Sequence, residues 1–133
     1  MQWAALVAWV ATALGGLTLF LQWARHGGLG QREGIRAIRL LPHLALAAVG
    51  LCLWVAYIAA DRRTLAWIAV GLLVVVALLG VSMLTVSLRG RTNIVRTEAP
   101  AEAIFPLPLV ALHGALGATT LVLGALAAAG IGS

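Results

Sequence analysis

Residues 104–131 read IFPLPLVALHGALGATTLVLGALAAAGI, a run of apolar and small residues with no charged side chain. An apolar stretch of about 18 residues or more is long enough for a helix to cross the bilayer's hydrocarbon core. Near the middle of this run stands one histidine, His113. Three earlier stretches, 2–24, 40–60 and 64–88, share its apolar character. The chain therefore reads as an all-α integral membrane protein, a four-transmembrane-helix bundle forming one membrane domain over residues 1–133. Loops 25–39 and 89–103 join spans one to two and three to four.

Composition supports that class. Apolar residues make up 62% of the 133 and charged residues 10%, with a mean hydropathy of +1.05. A water-soluble domain needs far more polar surface, and the spans leave too few residues for a separate soluble domain. The net charge of +5 comes from nine arginines against Asp61, Glu33, Glu98 and Glu102. These arginines flank apolar spans, so membrane orientation and lipid phosphate explain them better than nucleic acid. Cys52 is the only cysteine, which excludes an intrachain disulfide and a cysteine-based zinc site. The N-terminal Met1-Gln2-Trp3-Ala4 lacks a positive region, and the first apolar run exceeds a signal-peptide core, so it reads as a retained span.

Local signals refine the spans. Trp3 and Trp23 near the ends of span 1 suit interfacial aromatics. Gly15, Gly16, Thr12 and Thr18 give that span a small, weakly polar side suited to facing the bundle. Pro42 fits the first turn of span 2, where its missing N–H costs nothing. The centre of span 3, residues 70–79, is apolar all round and reads as largely lipid-facing. Ser82, Thr85 and Ser87 can bond back to their own helix. The first and third connections carry four and three arginines, the middle one two. The positive-inside rule then places both long loops in the cytoplasm and both termini outside the plasma (inner) membrane.

Spans 2 and 4 run in the same direction in this topology, and they align on their histidines. Over residues 43–53 and 113–123, six of eleven positions are identical: His43/His113, Ala45/Ala115, Leu46/Leu116, Ala48/Ala118, Leu51/Leu121 and Leu53/Leu123. Ala and Leu dominate both segments, so this is a weak signal for a two-plus-two internal repeat. Each histidine lies a few residues past the loop-side start of its span, at depths differing by roughly 2–8 Å. On the histidine faces, Ala47 and Gly50 follow His43, while Gly117 and Thr120 follow His113. Small residues of this kind serve close helix contact or make room for a flat cofactor.

An ionisable residue within a span is costly and marks a functional candidate. The plain alternative is that His43 reaches the interface and His113 bonds to a hydroxyl or carbonyl of a neighbouring helix. His26 reads as a solvated or lipid-facing loop residue. The pair also suits the axial ligation of one b-type haem, since bundle cofactors are held from facing helices. Arg36, Arg39, Arg89, Arg91 and Arg96 would meet its propionates or lipid phosphates. In helix count and paired histidines the chain resembles small four-helix cytochrome b membrane proteins. It has fewer histidines than those usually carry and no diagnostic motif of theirs.

Other chemistry finds no support. The sequence has no HExxH, P-loop or GxGxxG and no nucleophile with a partnered base. No carboxylate lies in any span, which argues against a carboxylate proton or cation relay. The leading expectation is a small accessory or interaction subunit within a larger membrane complex, in contact with other subunits or its own copies. The alternative is a haem b electron-transfer module, possible beside quinone. An oligomeric small-molecule transporter ranks third.

Overall fold

The computed structural model describes residues 1–92 and 100–132, with Arg91 and Thr92 described in backbone only. Four helices carry the chain: α1 (Gln2–Arg25), α2 (Ala37–Ala60), α3 (Arg63–Thr92) and α4 (Leu107–Ala128). Short 3-10 turns lie at Gly28–Gly30 and Ala101–Ile104. All four helices are long and apolar enough to cross a membrane. Among the described residues there is no strand.

The boundaries differ from the hydropathy reading in ways with local causes. Helix α2 begins three residues earlier, where the extended Arg36 hands its carbonyl to the amides of Arg39 and Leu40. Pro42 therefore falls inside the helix, past the first turn. At that position its ring leaves the carbonyl one turn back without an amide. Helix α4 starts only after Pro106, since the preceding residues form the 3-10 turn and an extended step through Phe105. The α2–α3 connection takes two residues, Asp61 and Arg62: Asp61 takes φ 49° and its amide bonds the Tyr57 carbonyl at 2.9 Å.

The helices alternate up and down, so both termini and the Asp61 turn share one end. The two long loops share the other, here called the loop end. Helix α1 packs most closely on α4, and α2 on α3. Helices α2 and α4 thus face each other across one diagonal, α1 and α3 across the other. The core cluster joins Ala5, Trp9, Trp54, Tyr57, Ala66, Ala69, Val70, Leu73, Val76, Ala127 and Ala128. In lipid, such packing rests on van der Waals fit more than on apolar burial. Glycine provides the fit: a Cβ at Gly50 would stand 2.9 Å from the Trp9 ring, and Gly124 lies against Trp54 and Val70.

Two expectations about lipid-facing positions need correction. Val70, Leu73 and Val76 of α3 are buried, while Gly71, Val74, Val75, Ala77 and Leu78 face outward. The same stripe continues through Ala66, Ala69 and Met83, the spacing of one helical face. An all-apolar helix hides that face from a hydropathy reading. Trp23 is not an interfacial residue: it is fully buried, with Gly28 folded over its ring and its indole N–H donated to the Ile35 carbonyl at 3.1 Å. Trp3, by contrast, is 62% exposed.

Candidate functional site

His43 and His113 meet across the bundle axis. Each is the seventh residue of its helix, so both stand about 9 Å from the helix start at 1.5 Å per residue. Their ring centroids are 6.3 Å apart, with the planes at 62°. Helices α2 and α4 do not pack along their length, so these rings bridge the diagonal.

Each ring is pinned by the helix beside it. His43 Nδ1 lies 3.0 Å from the Val76 carbonyl of α3, and His113 Nδ1 lies 3.0 Å from the Thr12 carbonyl of α1. A carbonyl only accepts, so each Nδ1 carries the proton and donates it. Each Nε2 is then left with its lone pair, and among the described residues neither has a hydrogen-bond partner. Both side chains are half-buried. One turn beyond each acceptor, a glycine lets the ring approach. A Cβ on Gly16 would come within 2.9 Å of His113 Cε1, and one on Gly80 within 3.4 Å of His43 Cε1.

The two pins also match in their spacing along α1 and α3. Thr12 and Gly16 correspond to Val76 and Gly80 at one constant offset, which also pairs Ala5 with Ala69 and Trp9 with Leu73, all four buried. Helices α1 and α3 thus play matching parts beside the two histidines that α2 and α4 carry. The sequence comparison of spans 2 and 4 missed this half, because Thr12 and Val76 act through backbone carbonyls.

The small residues beyond the histidines are occupied by the bundle. Gly50 lies under Trp9, and Gly117 faces the Thr12 methyl at 3.8 Å from its Cβ position. Thr120 is fully buried, its hydroxyl 3.2 Å from that of Thr12. Each hydroxyl also reaches its own helix, at Leu116 and Ala8 respectively, both at 2.8 Å. With one proton each, the two hydroxyls donate two of these three bonds at a time. Ala47 packs on the edge of the core. The termini side of the histidine pair is therefore solid.

At the loop end, Arg36, Arg39 and Arg89 are exposed. The Arg91 side chain and all of Arg96 lie outside the described residues. His26 is exposed and turns back to the Gln22 carbonyl at 2.8 Å, away from the pair. Among the described residues no group of three or more His, Cys, Asp or Glu gathers around a common point. A zinc centre, which draws three or four ligands from the protein, has no such set here. Two imidazoles suffice for haem iron, because the macrocycle brings the other four nitrogens.

One charged residue was not legible as structural. Glu102 is 1% exposed, at the loop end. Its carboxylate accepts the Ile35 amide at 2.9 Å and the Gln31 side-chain amide at 2.8 Å. Gln31 returns its oxygen to the Ala101 amide at 3.0 Å and bonds the Ile35 carbonyl at 2.6 Å. Gly34, at φ 74°, leaves room for the carboxylate where any side chain would clash. The two loops are thus clamped together, with Trp23 beneath.

Comparison with protein-family models, curated proteins and solved structures returns no match. The functional reading rests on the chain's own geometry.

Proposed function

We propose that this protein is an integral membrane electron-transfer module built around one haem b, held by His43 and His113. The observation that carries the reading is the spacing of the two rings. The ring centroids stand 6.3 Å apart, so His43 and His113 would hold the iron between them through their free Nε2 atoms. The protonation pattern agrees. A ligating histidine commonly donates its other N–H to a carbonyl, which fixes the tautomer and orients the ring. Both rings have that donation, to Thr12 and Val76.

The packing of Thr12, Thr120, Trp9 and Trp54 on the termini side supports a reading in which the propionates would point to the loop end. Arg36, Arg39 and Arg89 would meet them there, with Arg91 and Arg96 as further candidates. Bound haem supplies a one-electron couple. The chain's own part is to hold two neutral imidazoles, fix their orientation through Thr12 and Val76, and keep water from the termini side. The arginine distribution assigns the loop end to the cytoplasm and the termini to the outside.

Oxidised and dithionite-reduced visible spectra of the detergent-purified protein test this reading. We expect a Soret band and a sharp reduced α-band, both lost in His43→Ala and in His113→Ala. A colourless protein, after expression with ample haem, would overturn it.

A second reading, an accessory subunit of a larger membrane complex, draws on one observation. Gly114, Ala115 and Ala118 of α4 face outward, and nothing lies within 4 Å of a Cβ on Gly114. Small outward residues suit contact with another helix in lipid. A stoichiometric partner that co-purifies with a colourless protein would favour this role.

A further inference from the structure

At the end opposite the loops, a cavity of about 580 Å³ opens between the start of α1, the α2–α3 turn and the end of α4. Small-molecule sites commonly enclose about 300–1,000 Å³. Trp3, Ala127 and Ile131 give it apolar walls, and Tyr57, Asp61 and Arg63 bring polar groups. Tyr57 decides its chemistry. Its side chain is 8% exposed, packed edge-on to Trp54 with ring centroids 5.1 Å apart. Among the described residues its hydroxyl has no hydrogen-bond partner. Among the described residues the one sealed side-chain atom without a partner is Gln22 Oε1, so the Tyr57 hydroxyl is open to the cavity it lines.

A buried phenol ordinarily finds a partner for its hydroxyl. Open to the cavity, the Tyr57 hydroxyl can meet a ligand that offers it an acceptor. Arg63 adds donors beside it and Asp61 an acceptor. The aromatic and aliphatic walls suit a flat ring, and the position at the end of apolar helices suits an apolar tail. A ring bearing opposed carbonyl or hydroxyl oxygens meets all of these demands. Edge-on and tilted aromatic contacts also lead from the cavity toward the histidine pair. Trp54 lies 6.0 Å from Trp9, centroid to centroid. Trp9 stands one turn before Thr12, whose carbonyl holds His113.

We infer that this cavity binds the head ring of a lipid-soluble quinone, with the Tyr57 hydroxyl donating to a ring oxygen. Binding needs neither histidine; only its role in electron transfer rests on the proposed haem.

The full chain in phosphatidylcholine nanodiscs, photolabelled with an azido-substituted short-tailed benzoquinone, tests the site. Label should appear in peptides spanning residues 57–63 and be suppressed by excess unlabelled benzoquinone. Tyr57→Phe should weaken it about fivefold, the effect of one lost hydrogen bond. The double variant His43→Ala/His113→Ala should label as the parent does, so a missing haem spectrum leaves the quinone site standing. Label scattered over lipid-facing helix surfaces, label indifferent to competitor, or label unchanged by Tyr57→Phe overturns the inference. Equal suppression by phosphatidylglycerol assigns the cavity to lipid headgroups and overturns it too.

Discussion

A methyl group at Gly16 would stand 2.9 Å from His113 Cε1, closer than a real Cβ tolerates, whereas at Gly80 the gap to His43 is 3.4 Å. The two glycines therefore predict graded effects. Gly16→Ala should lose most of the reduced α-band, and Gly80→Ala only part of it. Alanine favours a helix over glycine by about 1 kcal/mol, so far-ultraviolet circular dichroism should hold or rise in both. Lost haem together with lost helix would point to misfolding instead. Equal spectra in parent and Gly16→Ala would sink the claim that this ring must hold its place. The histidines themselves were legible, because an ionisable group stands out in an apolar run. Their pins were not. Any residue offers a carbonyl, so nothing in the letters of Thr12 or Val76 marks them as acceptors.

The loop connections carry more structure than their composition suggests. Glycines and arginines between 25 and 39 read as a loop joining two spans, yet Gln31, Ile35 and Glu102 lock both loops over Trp23. Removing the Glu102 carboxylate strands the Ile35 amide, and a buried donor left unpaired costs about 1–3 kcal/mol. Glu102→Ala should lower stability by that amount in reversible denaturant unfolding of the detergent-solubilised protein. Gln31→Ala should cost less, and the double variant should fall short of the sum because the two residues share one network. Strict additivity would show that the clamp is not a unit. The helices tell a similar story. Hydropathy located all four, since length and apolarity are local properties. It misjudged the start of α2 and the buried stripe of α3, since caps and neighbours decide those.

At the scale of the molecule, the two halves play matching parts around the histidine pair. Helices α2 and α4 present a ring each, and α1 and α3 present a carbonyl and a glycine each. The proposed orientation is open to a direct check. In a chain whose Cys52 is replaced by Ser, cysteines at the exposed Leu29 and Arg62 test opposite ends. A membrane-impermeant maleimide added outside should label Arg62→Cys and spare Leu29→Cys. The reverse pattern would invert the topology and move the proposed haem edge to the other membrane face.

The sequence by itself determined the class, the four helices and the two histidines worth testing. Those follow from properties carried along the chain: apolar run length, helix-breaking glycines and prolines, and the rarity of an ionisable group among apolar ones. The tertiary structure alone decided that α2 and α4 stand diagonally and that their rings still meet at 6.3 Å. It also decided that Trp9 and Thr12 occupy the small-residue faces, and that Glu102 is a clamp. Each of these depends on which helix lies beside which, and van der Waals fit between surfaces distant in sequence leaves no mark in any single stretch of it.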